Sequence, residues 1–199
     1  GGFGGRAESC MGWKPTQIGQ LGGRRAIVTG ASSGIGAVQA RVLANHGAHV
    51  VLAVRNVEAG RAVAATIDGD TSVAQLDLAS QESVRRFAET VEAPVDLLLN
   101  NAGVMAPPKR RTTVDGHELQ FGTNHLGHFT LTALLLPVLL AAPAPRVTTV
   151  SSIAHHNGSD RVVEANPTAG YTPNTSYGQS KLANLLFALE LHRLASAAG

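Results

Sequence analysis

The 199-residue chain has one cysteine, few aromatic residues and a formal net charge of only +2. Because Cys10 has no possible partner within the chain, an intrachain disulfide is excluded, and we expect a cytoplasmic protein. The small net charge and the lack of a long Lys/Arg run argue against nucleic acid as a partner. The most apolar stretch, Leu131 to Ala142, is too short for a transmembrane segment and contains Pro137, so it favours a buried helix.

Hydrophobic residues and glycine are abundant, which suits a compact domain with closely packed helices and strands. Hydrophobic residues make up 44% of the chain, and there are 22 glycines. We interpret residues 1–20 as a leader and residues 21–199 as one domain. The first ten residues precede Met11, a natural start, and are interpreted as an expression scar; a disordered native arm is the alternative.

Short apolar runs alternate with helical patterns along the chain, without an internal repeat. The predicted strands are Arg25–Thr29, His49–Val54, Val73–Leu76, Val95–Leu99 and Arg146–Val150. The predicted helices are Ile35–Asn45, Glu58–Ile67, Ser80–Val91, about Gly116 to Leu140, and Ser176–Leu194. This alternation predicts an α/β fold with a doubly wound parallel sheet of the Rossmann type. Such a sheet binds ligands beyond the carboxyl ends of its strands.

A glycine-rich turn, Gly30-Ala-Ser-Ser-Gly-Ile-Gly36, follows the first predicted strand and opens a helix. Glycines let the backbone approach a ligand, and a helix N-terminus offers free N–H groups to phosphate. A plain tight turn is the alternative. Because Gly-x-Ser-x-Gly is also the nucleophile elbow of α/β hydrolases, Ser32 is a second alternative. That elbow normally follows several strands, whereas only a short leader precedes Gly30.

Tyr177 and Lys181 stand four residues apart on the last predicted helix, so their side chains share one face. An ammonium beside a phenol favours the phenolate and therefore lowers the pKa of the tyrosine. A tyrosine adjusted in this way can act as a proton donor or acceptor at neutral pH. The pair alone is a weak signal, and it gains weight from the glycine turn upstream.

Taken together, these segments resemble the short-chain dehydrogenase/reductase family, from Leu21 to the end of the chain. Four signatures occur in the family's order: the glycine turn, Asn100-Asn-Ala-Gly103, Asn124, and Ser152 with Tyr177 and Lys181. The runs Leu119-Gln-Phe-Gly-Thr-Asn-His-Leu-Gly-His128 and Ser180-Lys-Leu-Ala-Asn184 are similar to the retinol-dehydrogenase-like branch. Residues 21–199 would then form a dinucleotide-binding catalytic domain.

The resemblance implies a role for each matching position. Tyr177 would be the general acid in reduction and the general base in oxidation of a small carbonyl or alcohol substrate. Lys181 would hold the nicotinamide ribose, Ser152 (rather than Ser151) would bond the substrate oxygen, and Asn124 would anchor a relay water. The expected cofactor-binding residues are Gly30, Ser32, Ser33, Gly34, Ile35, Gly36, Arg55, Asp77, Asn101, Ala102, Gly103, Tyr177 and Lys181.

Arg55 predicts a preference for NADP(H) over NAD(H). Dehydrogenases that select NAD usually carry an acid at the end of the second strand, but here Val54 takes that place and Arg55 follows it. An arginine can pair with a 2′-phosphate bidentately. Ser33 stands where many NADP-using relatives have a second basic residue.

Other readings of the sequence stay open beside the oxidoreductase. A non-catalytic nucleotide-binding protein would keep the glycine turn, and light-dependent protochlorophyllide reductases share the tyrosine and lysine but depend on cysteine chemistry. The eight histidines lack metal-ligand spacing, so no metal is expected. His155 and His156 are expected in a solvent-exposed loop, and His156 to Thr175 in a substrate-side loop.

Members of the family usually continue beyond the point that corresponds to Gly199, with a sixth strand, a substrate-covering helix and a seventh strand. We therefore interpret the domain as truncated at its C-terminus. The family often forms homodimers or tetramers through its two long helices, here about Gly116 to Leu140 and Ser176–Leu194.

Overall fold

A computed structural model describes residues 17–160 and 170–198, and in these ranges the predicted doubly wound α/β fold is confirmed. The strands are β1 (Arg25–Thr29), β2 (His49–Val54), β3 (Thr71–Gln75), β4 (Leu97–Asn100) and β5 (Arg146–Thr149). They stand in the order β3–β2–β1–β4–β5, and every neighbouring pair is parallel. All five carboxyl ends therefore meet at one edge of the sheet, where a ligand site is expected.

Helices connect the strands. They are α1 (Gly34–Asn45), α2 (Val57–Ala64), α3 (Gln81–Glu89), α4 (Leu119–Phe121), α5 (Gly127–Leu140) and α6 (Pro173–Ala198). A π-helical turn, Gly122–Leu126, joins α4 to α5, and a 3₁₀ turn, Ile153–Asn157, follows β5. Ser80 caps α3, because its hydroxyl accepts from the amide of Ser83 at 3.2 Å.

The core has one apolar layer on each face of the sheet, because successive side chains of a strand point to opposite faces. In β1, Ile27 belongs to one layer, whereas Ala26 and Val28 belong to the other. The first layer also contains Val84 and Phe87 of α3 and Leu131, Leu135 and Leu139 of α5. The second contains Ala40 and Ala44 of α1. Burial on both faces explains why the strands read as nearly continuous apolar runs.

The prediction of one long helix from about Gly116 to Leu140 was wrong about where the helix begins and about its continuity. Gly116 has a φ of +84°, which is incompatible with a right-handed helix, and Thr112 and Glu118 form an isolated antiparallel bridge. Helical structure begins only at Leu119, where the Glu118 carboxylate accepts from the Phe121 amide at 2.8 Å. The π turn then interrupts it, so Asn124 lies in irregular helical geometry of a kind that is frequent at functional sites.

Other boundaries differ from the predictions by a few residues. The second helix ends at Ala64 rather than Ile67, β3 starts at Thr71, and α6 extends from Pro173 to Ala198. The predicted expression scar, Met11 and residues 161–169 of the predicted substrate-side loop lie outside the described residues. Within the described ranges, no helix combines the length and apolar character needed to cross a bilayer.

Candidate functional site

A cleft of about 430 Å³ opens at the carboxyl edge of the sheet. Most of the residues predicted to bind a cofactor line it, namely Gly30, Ser32, Ser33, Ile35, Gly36, Arg55, Asp77, Asn101, Ala102 and Gly103. The lining also includes residues that the sequence did not single out: Ala53, Asn56, Leu76, Leu78, Val104 and Thr123. Gly34, Tyr177 and Lys181 were predicted to bind the cofactor but do not line this cleft.

The glycine turn and the loop after β4 form one packed unit. The Thr29 hydroxyl accepts from the amides of Asn101 at 2.9 Å and Ala102 at 3.0 Å. Gly30 has a φ of +68°, and a Cβ there would lie 2.9 Å from the Ala102 Cα. A Cβ on Gly36 would lie 2.6 Å from the Asn101 side-chain nitrogen. These glycines are therefore required by close packing.

The N-terminus of α1 faces the cleft without a side-chain cap. Ser33 occupies the N-cap position, but its hydroxyl accepts no bond from the first turn of the helix. Gly34 has a φ of +54°, and no atom lies within 4 Å of the position a Cβ would take. The first N–H groups of a helix need external acceptors, so this open N-terminus suits a phosphate group.

Ser32 does not have the geometry of a hydrolase nucleophile. The nucleophile elbow holds its serine in a strained turn, whereas Ala106, at φ +49°, is the one described non-glycine residue with a positive φ. None of the hydrogen bonds between described residues joins Ser32 to a histidine. The arrangement therefore favours a nucleotide-binding turn.

Arg55 lies at the end of the cleft nearest β2. Val54, which precedes it, is buried and directed towards Gly60, so no carboxylate occupies the position after β2. Arg55 is exposed, and no ion pair within the described residues involves it. Asp77 is fixed on the cleft wall, because its carboxylate accepts from the Ala79 amide at 2.9 Å. A cation is thus available where an adenosine ribose phosphate could bind.

Lys181 is buried beside Tyr177 on α6. Its amino nitrogen lies 5.6 Å from the centre of the Tyr177 ring and donates to the Val150 carbonyl at 3.0 Å. Only 3% of Lys181 is exposed, and burial lowers its pKa to about 8. None of the described ion pairs includes Lys181. The predicted pairing of these side chains is therefore present in the fold.

Gly103 connects the Tyr177–Lys181 pair to the cleft. Gly103 lines the cleft, and the position of a Cβ on it would lie 3.7 Å from the Lys181 amino nitrogen. The same position would lie 3.2 Å from the side-chain oxygen of Asn124. Lys181 and Asn124 therefore adjoin the end of the cleft, separated from it by one glycine backbone.

Asn124 is completely buried, and its side chain joins three segments of the chain. Its oxygen accepts from the Val104 amide at 2.8 Å, while its nitrogen donates to the Val104 carbonyl and the Ser180 hydroxyl, both at 2.9 Å. The Ser180 hydroxyl donates to the Tyr177 carbonyl at 2.7 Å. The amide of Asn124 thus fixes the loop after β4 against the helix that carries Tyr177 and Lys181.

The two serines after β5 have different environments. The Ser151 hydroxyl donates to the Lys181 carbonyl at 2.8 Å, which commits its proton to the structure. The Ser152 hydroxyl accepts from the Ala154 amide at 3.2 Å and donates to none of the described groups. Ser152 therefore retains a proton that a ligand could accept.

The solvent exposure predicted for His155 and His156 is confirmed for His156, whereas His155 is half-buried, and both belong to the 3₁₀ turn after Ser152. Their ring centres are 4.1 Å apart, and His155 bonds the Ser152 carbonyl at 2.7 Å. Among the described residues there is no cluster of three or more potential metal ligands.

Sequence reasoning missed the buried polar contacts behind the site. Ser180 and His128 were noted only as members of two sequence motifs. His128 is 1% exposed and joins the Thr29 hydroxyl at 2.8 Å to the Asn124 carbonyl at 2.9 Å. Its position four residues after Asn124, on the same helical face, was the available signal.

Comparison with known proteins agrees with this geometry. A sequence profile described as short chain dehydrogenase matches residues 24–195. Retinol dehydrogenase 12 of Mus musculus is 46% identical over 180 residues, which cover 86% of this chain and 57% of that protein. Polyprenol dehydrogenase of Mus musculus is 44% identical over 94% of this chain and 59% of that protein.

Solved structures share the fold. An uncharacterized protein from Mycobacterium paratuberculosis has a TM-score of 0.88 and 50% identity, covering 94% of this chain and 68% of its own. Pseudomonas aeruginosa RhlG, solved with NADP, has a TM-score of 0.70 and 31% identity, covering 89% of this chain and 68% of its own. The chain thus spans less than three fifths of the two curated relatives and about two thirds of these structures.

Proposed function

Because this chain belongs to the short-chain dehydrogenase family, we propose that the whole protein transfers a hydride between NADP(H) and a carbonyl or alcohol substrate. The observation that carries the proposal is the placement of Lys181 next to Tyr177 and only one glycine, Gly103, away from the cleft. The nicotinamide supplies or accepts the hydride when it is bound. The residues of the chain bind, orient and move protons around it.

The glycine turn, with Ser32 and Ser33, would bind the pyrophosphate at the N-terminus of α1. Gly34 and Ile35 would bring the backbone of the helix close to it, and Asp77 would line the adenine side. Arg55 supports a preference for NADP(H) over NAD(H). Its exposed guanidinium can pair with a 2′-phosphate, and the position after β2 carries no carboxylate that would repel this phosphate.

The proton steps would belong to four residues. Tyr177 would protonate the substrate oxygen in reduction and take the proton back in oxidation, with the Lys181 ammonium beside its ring. Ser152 would donate to the substrate oxygen, since its proton is not used by another described group. Asn124 would anchor the relay water through its main-chain carbonyl, because its side chain is committed to Val104 and Ser180.

A hydrophobic primary alcohol or its aldehyde is the substrate class that we infer. Retinol and polyprenol, the substrates in the relatives' names, are both apolar isoprenoid alcohols. Large apolar side chains are exposed next to residues of the site: Met105 follows Val104 of the cleft lining and is 71% exposed, and Ile153 follows Ser152 and is 84% exposed. Such side chains would favour an apolar substrate over a sugar.

Replacement of either tyrosine in the chain provides a matched test. Tyr177→Phe in the whole protein is expected to abolish NADPH oxidation with retinal and other apolar aldehydes while cofactor binding persists. Tyr171→Phe, which removes a hydroxyl that donates to the Pro107 carbonyl at 2.8 Å, is expected to keep turnover. Turnover by Tyr177→Phe would refute the assignment. Tight cofactor binding without turnover across a broad carbonyl panel would favour a non-catalytic nucleotide-binding protein.

We also propose that the whole protein is cytoplasmic and that it forms a homodimer or tetramer. The outer surfaces of α5 and α6 carry exposed apolar side chains, including Phe129 at 49% and Leu189 at 59% exposure. Such patches are typical of subunit interfaces. Light scattering on the whole protein would measure its oligomeric state, and a monomer would contradict this part of the proposal.

A further inference from the structure

His128 is a buried histidine that neither the glycine turn nor the proposed proton steps use. It lies in the first turn of α5, and only 1% of it is exposed. One ring nitrogen, Nε2, lies 2.8 Å from the Thr29 hydroxyl, at the base of the glycine turn. The other, Nδ1, lies 2.9 Å from the main-chain carbonyl of Asn124 in the π turn. A single side chain therefore contacts both halves of the candidate site.

The hydrogen-bond partners determine where the proton of His128 lies. A carbonyl oxygen only accepts, so the contact with Asn124 requires a proton on Nδ1. The Thr29 hydroxyl already accepts from the amides of Asn101 and Ala102, which uses both of its lone pairs. Its one proton is then donated to Nε2, which at 2.8 Å is closer than the Leu99 carbonyl at 3.3 Å.

His128 is therefore a neutral imidazole with its proton on Nδ1. An imidazolium would direct a second N–H at a hydroxyl that has no lone pair left. Burial acts in the same direction and is the main reason that the pKa of His128 is lowered to about 4. The hydrogen bond to the Asn124 carbonyl opposes this shift, whereas the nearby Lys181 and His125 add to it. The backbone of His128 is also held, because its carbonyl accepts from the Thr132 hydroxyl at 2.8 Å.

We propose that His128 is a positioning residue that fixes the Asn124 carbonyl relative to the cofactor-binding turn. The connection runs from the amides of Asn101 and Ala102 through the Thr29 hydroxyl and the imidazole to Asn124. Since the Asn124 side chain is committed to other partners, its main-chain carbonyl is the group that His128 orients. The catalytic part of this inference rests on the proposed hydride transfer, whereas the tautomer and the link to the cleft do not.

Two substitutions separate the two halves of the connection. His128→Asn keeps an amide donor near the Asn124 carbonyl but loses the bond to Thr29, so we expect mainly weaker NADPH binding. His128→Gln keeps a polar atom towards Thr29 but loses the donor to Asn124, so we expect kcat to fall by roughly 10- to 100-fold with a smaller change in cofactor affinity. Ser72→Ala is the control for a lost hydrogen bond away from the site, because the Ser72 hydroxyl lies 3.1 Å from His49 Nε2 between β2 and β3. This variant should lower the melting temperature without this loss of kcat.

Nitrogen NMR of the whole protein labelled at histidine tests the connection independently of turnover. The His128 signals are identified by their absence from the spectrum of His128→Gln. Their chemical shifts are expected to be those of a neutral ring protonated at Nδ1 and to stay constant from about pH 5 to 8. An Nε2–H tautomer or an imidazolium at neutral pH would overturn the proposal. So would a kcat for His128→Gln no lower than that of Ser72→Ala. If the wild-type protein turns over no substrate, the hydride-transfer proposal fails, and the NMR signal and NADPH affinity decide on His128 alone.

Discussion

The amino nitrogen of Lys181 lies 5.6 Å from the centre of the Tyr177 ring in a protein interior where no carboxylate pairs with it among the described residues. A buried, unpaired ammonium is unfavourable for folding, because water no longer solvates the charge. The Val150 carbonyl compensates for this only in part. The chain therefore retains at this position a charge that weakens the fold, which is typical of functional sites.

Replacement of Lys181 by methionine should stabilise the protein at neutral pH and remove its activity. Burial lowers the pKa of Lys181 from its ordinary 10.5 to about 8, so between these values the unfolded chain binds more protons than the folded one. The free energy of unfolding of the wild type consequently rises with pH through this window. Below pH 8 the penalty is on the order of 3 kcal/mol.

Thermal melts of the cofactor-free protein at several pH values would measure this difference. Lys181→Met should melt higher than the wild type at pH 7, and the two curves should approach each other near the ordinary lysine pKa. A lower melting temperature at pH 7 for the variant would mean that the lost bond to Val150 outweighs desolvation of the charge.

Replacement of Arg55 by alanine should weaken NADPH binding far more than NADH binding. An arginine paired with a phosphate contributes about 1.5–3 kcal/mol, which corresponds to roughly a 10- to 100-fold change in affinity. Arg61→Ala is the matched control, since Arg61 is an exposed arginine on α2 that pairs with Glu58. Calorimetric titration with both nucleotides would measure the change. Equal losses for NADPH and NADH would contradict selection by Arg55.

Acid should destabilise the wild type more than His128→Gln. The pKa of folded His128, about 4, lies below its ordinary 6.5, so only the unfolded chain takes up this proton between the two values. The contribution of His128 to stability is complete above pH 6.5, declines as the pH falls and is lost by about pH 4, an effect on the order of 3 kcal/mol. Denaturant titrations of both proteins at pH 7 and pH 4.5 would compare the two losses, and the other titrating groups are common to both. Equal losses would show that His128 does not titrate on unfolding.

Replacement of Gly36 by alanine should destabilise the fold and abolish nucleotide binding. The new Cβ would lie 2.6 Å from both the Gly30 carbonyl and the Asn101 side-chain nitrogen, so the turn must move away from the loop after β4. Overpacking of this kind costs about 1–3 kcal/mol. Gly22→Ala is the control, because no atom lies within 4 Å of its added Cβ. Fluorescence titration with NADPH and thermal melts would test both effects. A Gly36→Ala protein with normal affinity would contradict the close approach.

The sequence predicted the layers of the fold because buried parallel strands leave continuous apolar runs, and it predicted the cleft because glycines at the first turn leave a recognisable spacing. It could not predict that the helix begins only at Leu119, since the positive φ of Gly116 and the bridge from Glu118 to Thr112 depend on the fold around them. It also missed the role of His128, because hydrogen bonding between residues 99 positions apart, such as Thr29 and His128, leaves no local pattern.

The single backbone that separates Lys181 from the cleft has an electrostatic consequence. At Gly103 a Cβ would lie 3.2 Å from the Asn124 side-chain oxygen and 3.7 Å from the Lys181 amino nitrogen, so little more than a glycine backbone stands between the ammonium and the cleft. A charge brought into the cleft at this end would therefore interact with the ammonium across a short distance. The proton affinity of Lys181 should then depend on what occupies the cleft.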